Sequence, residues 1–161
     1  MSLVVGTNSY VTLNEAEDYL SDRYGFSTWE SSEYQEVALV SAARLLDTQL
    51  SWKYFKTEAD QVMQWPRTGF DESVFGFDED TVPQLVKDAQ CEMAFDIIEN
   101  GGIKPAFQPS DDLKRIKADT LELEYRAYGM QKLDNSRVPS HILKMLKPLI
   151  SAIGVYRLQR A

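Results

Sequence analysis

Two side chains of the sequence, Cys91 and His141, belong to types that enzymes use as nucleophile and general base. They are the only cysteine and the only histidine of the chain. Cys91 falls on or beside the apolar side of a predicted helix, where a thiol serves as a small hydrophobic group. The sequence also has no glycine-rich phosphate loop and no G-x-S-x-G or H-E-x-x-H motif. We therefore predict that the protein is not an enzyme and needs no cofactor or metal.

Acidic side chains are concentrated between Asp71 and Glu99, where nine of them accompany one basic residue, Lys87. The first five are Asp71, Glu72, Asp78, Glu79 and Asp80. Their spacing differs from the D-x-D-x-D-G pattern with which a loop surrounds a calcium ion. We interpret these five residues as a solvated acidic surface, or as the wall of an acidic channel, that repels phosphate.

The segment Trp52-Lys53-Tyr54-Phe55-Lys56 alternates aromatic and basic residues. This pattern is typical of proteins that stack and neutralise single-stranded nucleic acid. The segment has only two basic residues, however, and Glu58 and Asp60 follow them. Packing of the aromatic side chains into the core is the favoured interpretation, and contact with nucleic acid is the alternative.

The motif Trp65-Pro66-Arg67 is rigid, because Pro66 fixes its own φ angle and restrains the residue before it. An indole beside a guanidinium suits either a lid on the core or an anchor in an interface, and both remain open. We predict that Trp65 belongs first to the folded subunit. We expect Arg67 to be exposed and to bind a carboxylate of a neighbouring copy.

The last 25 residues carry five basic and no acidic side chains, whereas residues 1–136 hold all 25 acids and 12 bases. The final stretch, 151–161, is too short to fold alone and combines apolar residues with arginines. We predict that it is an extended docking arm. Its interface residues would be Arg157, Leu158 and Arg160.

Most of the remaining sequence follows a helical period. Helices are predicted over about 12–23, 33–50 and 83–99, and from Pro139 onward. Capping boxes at Thr12 with Glu15 and at Ser32 with Gln35 predict where the first two helices begin.

Two segments depart from the helical period. Residues 51–81 contain Pro66, Gly69 and Gly76 and predict a long ordered loop. Residues near 114–127 alternate apolar and charged side chains, which predicts a short β-hairpin. With 161 residues the chain has about the length of one domain. The predicted fold is therefore mainly α, a small bundle of about four helices with a hairpin, in a single domain over 1–150.

The composition predicts a soluble protein, with 43% hydrophobic and 26% charged residues. The uncharged run 148–156 is shorter than the ~18 residues that a membrane span needs. Residues 1–12 contain no basic residue of the kind that opens a signal peptide. We expect no membrane partner and a location in the cytoplasm, or in a particle assembled there.

Several short sequence blocks, in the order in which they occur, resemble those of one protein family. They are Asn8-Ser9-Tyr10-Val11-Thr12 with Ala16 and Tyr19, Ala43-Arg44 with Leu46-Asp47, Trp65-Pro66-Arg67-Thr68-Gly69, Val82-Pro83 with Val86, Ala89, Glu92 and Ala94, Leu123-Glu124-Tyr125, and Val138-Pro139. This set resembles the head-to-tail connector, or head completion, proteins of tailed bacteriophages. Such proteins often carry the label of DnaT-like single-stranded-DNA-binding proteins. The resemblance extends over about residues 6–150.

The resemblance implies a helical adaptor that forms a ring of about twelve copies beneath the portal and joins the DNA-filled head to the tail. Its implied partners are further copies of itself, the portal protein, a tail-side neck or stopper protein, and duplex DNA that passes without specific binding. The implied location is the virion neck, and the host cytoplasm during assembly. The alternative is a single-stranded-DNA-binding accessory of replication or repair, which the net charge of −8 disfavours.

Overall fold

The computed structural model describes residues 2–103 and 137–151. The elements found there are α1 (Leu13–Leu20), α2 (Phe26–Glu30), α3 (Gln35–Gln49), β1 (Phe55–Lys56), β2 (Arg67–Thr68), α4 (Glu72–Phe75), α5 (Gln84–Glu99) and α6 (Ser140–Met145). The prediction of a mainly helical fold is confirmed. The hairpin predicted near 114–127 lies outside the described residues, as does the arm beyond Ser151. None of the described helices is long and apolar enough to cross a membrane.

The capping box predicted for the first helix is present. The Thr12 hydroxyl accepts a hydrogen bond from the Glu15 amide at 3.1 Å, and the Glu15 carboxylate accepts one from the Thr12 amide at 2.7 Å. These bonds satisfy two amides that the first helical turn leaves unpaired.

The second predicted capping box, at Ser32 with Gln35, is wrong. α3 begins at Gln35, whose side-chain amide donates to the Trp29 carbonyl at 3.0 Å. The Ser32 hydroxyl accepts from the Tyr34 amide at 3.2 Å. The reason is that the short helix α2 lies directly ahead of α3. The Trp29 carbonyl near the end of α2 binds the Gln35 side chain, which is then not available to cap α3.

The core forms where α3 and α5 pack along each other, and α1, α2 and α6 pack against α5. Alanines on both central helices allow their close approach, and larger side chains fill the remaining space. The buried alanines are Ala38, Ala42, Ala43, Ala89 and Ala94, and the large buried side chains include Trp29, Leu39, Leu46, Met93 and Phe95. α5 is therefore the element around which α1, α2, α3 and α6 are arranged.

Residues 51–81, predicted to be an ordered loop, contain β1, β2 and α4. The two strands pair antiparallel, with Phe55 opposite Thr68 and Lys56 opposite Arg67. The segment's aromatic rings contact one another with centroids 4.8–6.3 Å apart, in a cluster of Trp52, Tyr54, Trp65, Phe70, Phe75 and Phe77. These elements are too short to leave a periodic pattern in the sequence.

The end of the described chain returns to the start of this segment. The Lys53 amide donates to the Leu149 carbonyl at 3.0 Å, and the Ser151 amide donates to the Ser51 carbonyl at 2.7 Å. Between them, Trp52 and Ile150 form an antiparallel bridge. Residue 151 is thus fixed beside the C-terminal end of α3.

Candidate interaction surfaces

Arg67 is buried, with 8% of its surface exposed. Its Nε donates to the Lys53 carbonyl at 2.7 Å, and its Nη2 donates to the Tyr54 carbonyl. Its Nη1 donates to the backbone carbonyl and the side-chain Oε1 of Gln64, at 3.1 and 3.0 Å. The expectation that Arg67 is exposed is therefore wrong, because the guanidinium fastens the chain before β1 to the loop before β2.

Trp65 also belongs to the folded subunit, with 2% of its surface exposed. Its ring meets the Trp52 ring edge to face, with centroids 5.6 Å apart, and the Phe77 ring at 6.3 Å. Trp65 and Arg67 thus both make contacts within their own chain. A role for either residue between subunits stays a prediction, and Arg157, Leu158 and Arg160 lie outside the described residues.

A partly buried polar cluster joins three parts of the sequence. The Tyr10 hydroxyl donates to Oδ1 of Asp47, near the end of α3. The Gln64 amide donates to the Tyr10 hydroxyl and to Oδ2 of Asp47, both at 3.2 Å. Burial raises the pKa of both Tyr10 and Asp47. The N-terminal block, the α3 block and the Trp-Pro-Arg block therefore meet at one place.

Gln90, on α5, joins the N-terminal block to the central helices. Its Oε1 accepts from the Tyr10 amide at 2.8 Å. Its Nε2 donates to the Ser9 hydroxyl at 2.7 Å and to the Leu39 carbonyl at 2.9 Å. The side chain is completely buried. Sequence reasoning missed this residue, although a glutamine between Ala89 and Cys91 on an apolar helix face was a usable signal.

Asp47→Asn is expected to change how stability depends on pH. Burial raises the pKa of Asp47 above its ordinary value of 3.8, so the folded chain holds this proton more tightly than the unfolded chain. The carboxyl therefore favours folding most at low pH, and that contribution is lost as pH rises through the folded-state pKa. The free energy of unfolding of the wild type, minus that of the variant, should fall as pH rises from the ordinary pKa of 3.8 toward neutrality.

Urea denaturation across this pH range checks the expectation, with the exposed Asp60→Asn as control. A difference that stayed constant or rose with pH would contradict it.

Three of the five predicted acidic residues accept hydrogen bonds from nearby groups of residues 69–79. Oδ1 of Asp71 accepts from the hydroxyl and the amide of Ser73, at 2.6 and 3.0 Å, and these bonds lower the pKa of Asp71. Oε1 of Glu79 accepts from the Gly69 amide at 2.9 Å, which lowers the pKa of Glu79. The Glu72 side chain accepts from the Glu79 amide at 3.2 Å.

Asp71, Glu72, Asp78 and Asp80 are exposed, and Glu79 is partly buried. A position of these residues in a channel stays a prediction.

Basic side chains of residues 2–103 are mostly engaged within the subunit. Five of the six bind groups of the same chain: Arg23 to Glu92, Lys53 to the Pro148 carbonyl, Lys56 to the Gln61 carbonyl, Arg67 to backbone carbonyls and Lys87 to Glu15. Phe55 lies between Lys53 and Lys56 in sequence and has 75% of its surface exposed. It is the aromatic residue of the 52–56 segment that solvent reaches most.

A comparison of the sequence with known protein families identifies the family of this chain. Residues 2–161 match the family described as "Putative DnaT-like ssDNA binding protein". The chain belongs to this family. No curated protein and no solved structure matches it. The resemblance to the DnaT-like group is thereby confirmed, and the head-to-tail role stays a prediction.

This DnaT-like chain has an open groove of about 310 Å³ between α1 and α5. Cys91 lies at its floor with 1% of its surface exposed, and burial raises the pKa of its thiol to about 12. The thiol is therefore protonated at neutral pH and lacks the nucleophilic thiolate form. His141, the other residue considered for chemistry, places its Nε2 3.9 Å from a carboxylate oxygen of Glu92.

Proposed function

We propose that this protein is a non-catalytic adaptor of a tailed bacteriophage, which forms a ring beneath the portal and joins the filled head to the tail. The charge of residues 2–103 carries the proposal. Residues 2–103 hold 19 acidic and six basic side chains, and five of the six basic ones bind their own subunit. Such a surface repels the phosphates of duplex DNA, which suits a neck that DNA must pass without sticking.

The placement of the aromatic residues also supports an assembly role. Trp52 and Trp65 are buried, and Tyr54 packs against the rings of Phe70 and Phe75. Trp52 and Tyr54 of the 52–56 segment thus pack within the 51–81 region, although the composition of the segment suggests base stacking. Within residues 52–56, Phe55 is left as the most exposed ring on which a base could stack.

Single-stranded DNA binding is the second candidate, and it agrees with the description of the family. One structural observation favours it, namely the exposed Phe55 ring beside Lys53 and Lys56 in sequence. One aromatic ring that stacks on a base contributes about 1–3 kcal/mol to binding. Tight binding needs several such rings, or a basic groove that neutralises phosphates.

A titration of a labelled, unstructured oligonucleotide separates the two candidates. At physiological salt we expect no saturable binding up to about 100 µM protein, the weak end of nonspecific affinities. Phe55→Ala tests the stacking residue, and Tyr24→Ala is the matched control because Tyr24 is 99% exposed. Micromolar binding that weakens with salt and is lost only in Phe55→Ala would overturn the adaptor proposal in favour of the second candidate.

Removal of the protein from a phage that encodes it tests the adaptor role directly. The expected products are separate heads and tails, seen by electron microscopy, while phage DNA synthesis stays normal. Normal virions, or a block in DNA synthesis, would contradict the proposal.

A further inference from the structure

We propose that the groove between α1 and α5 binds the C-terminal segment, residues 152–161, of a neighbouring copy of the chain. The inference rests on the proposed function, because it requires that copies assemble side by side. It goes further by naming the two surfaces that meet.

The groove has an apolar floor and an acidic rim. Its lining residues are Val11, Glu15, Asp18, Tyr19, Gln84, Lys87, Asp88 and Cys91. Val11 and Cys91 are each 1% exposed and form the floor, and Tyr19 is 37% exposed. A volume of about 310 Å³ is at the low end of about 300–1,000 Å³ for sites that enclose small molecules. An open site of this size suits a few side chains of a peptide.

The charges at the rim select what can bind. The single basic residue of the lining, Lys87, donates to Glu15 at 2.9 Å. Asp18 and Asp88 remain, and neither forms an ion pair with another residue of the described ranges 2–103 and 137–151. Asp88 accepts a hydrogen bond from the Gln84 side chain at 2.8 Å, which leaves lone pairs for a further donor. The rim therefore favours a cationic ligand that also carries apolar groups.

The C-terminal segment has this chemistry. It contains Arg157 and Arg160, no acidic side chain, and the apolar residues Ile153, Val155, Tyr156 and Leu158. Arginine suits such a site because its planar fork binds a carboxylate with two hydrogen bonds.

The position of residue 151 lets this segment leave the subunit. The Ser151 amide is bonded to the Ser51 carbonyl, so residues 152–161 start from a fixed point. A chain of that length spans up to ~33–36 Å when it is extended. Because groove and segment are different surfaces of the same chain, the contact is head to tail. Such contacts build a ring where the rotation between copies closes, and an open filament where it does not.

A labelled peptide with the sequence of residues 152–161 is the probe. It is titrated into the full chain carrying Arg157→Glu and Arg160→Glu, in which the chain's own segment cannot fill the groove. We expect saturable binding that weakens as salt rises. Adding Asp18→Asn and Asp88→Asn should weaken it about 2- to 30-fold, the effect of losing two solvent-accessible ion pairs.

The matched control adds Glu30→Gln and Asp60→Asn, which remove two exposed carboxylates outside the groove. This pair should leave the affinity unchanged. Absence of saturable binding, or equal weakening by both pairs of substitutions, would overturn the inference.

Sedimentation of the wild-type chain distinguishes a neighbouring copy from the chain's own segment. Above the peptide's Kd the mass should rise with concentration, and either Arg157→Glu with Arg160→Glu or Asp18→Asn with Asp88→Asn should prevent the rise. A wild-type chain that stays monomeric although the peptide binds would overturn docking on a second copy. Failure here leaves the phage removal experiment unaffected, so the inference and the proposed function can fail separately.

Discussion

Arg67→Ala is expected to lower the free energy of unfolding by about 3–5 kcal/mol. The guanidinium donates to the backbone carbonyls of Lys53, Tyr54 and Gln64. Loss of the donor leaves these carbonyls without this partner in a partly buried region. A buried polar group that loses its partner costs about 1–3 kcal/mol. The removed side chain also leaves a cavity, which adds to the loss.

Denaturation curves of two further variants show whether the lost stability comes from the hydrogen bonds of the Arg67 guanidinium. Arg67→Lys keeps the charge but cannot reach three carbonyls from one ammonium, so its loss should be intermediate. Arg44→Ala removes an exposed arginine of α3 and should change stability by no more than about 0.5 kcal/mol. If Arg67→Ala unfolded like the wild type but failed to self-associate, Arg67 would be an interface residue as first predicted from the sequence.

Gln90→Leu is expected to lower the free energy of unfolding by about 2–4 kcal/mol, although leucine is close to glutamine in size. The change leaves the Tyr10 amide, the Ser9 hydroxyl and the Leu39 carbonyl without their bonds to this side chain. The buried Tyr10 amide is left unpaired, whereas the Ser9 hydroxyl keeps its bonds to Val11 and the Leu39 carbonyl lies within α3. The loss is therefore that of one unpaired amide and two further buried hydrogen bonds rather than of packing. The N-terminal block should therefore detach more readily from α5.

Hydrogen exchange at the Tyr10 amide measures this detachment, together with the loss of global stability. Gln49→Leu is the control, because Gln49 is exposed at the end of α3. Unchanged exchange at Tyr10 in Gln90→Leu would show that the N-terminal block is held by other contacts.

The sequence was sufficient to predict α1, α3, α5 and α6, because each presents an apolar face with a helical period to the core. The observed α5, Gln84–Glu99, begins one residue after the predicted start. α2 and α4 were missed, since five and four residues are too few to establish a period. The capping box at Ser32 failed for the related reason that its residues interact with the unpredicted α2.

The role of Arg67 could not be read from residue types. Its partners are backbone carbonyls, which every residue carries, so no pattern of side chains marks them. The order of the sequence blocks around Tyr10, Asp47 and Gln64 indicated the family. It did not indicate that the three residues are in contact, because that contact depends on tertiary packing.

The buried thiol of Cys91 makes the folded chain effectively cysteine-free for labelling chemistry. With a pKa of about 12, only a very small fraction of the thiol is thiolate at pH 7.5, and 1% surface exposure keeps reagents away. A cysteine introduced at exposed Glu30 or Asp60 should therefore react with maleimide dyes alone. Fluorescence energy transfer between labelled copies could then follow the proposed self-association, with the natural thiol left in place.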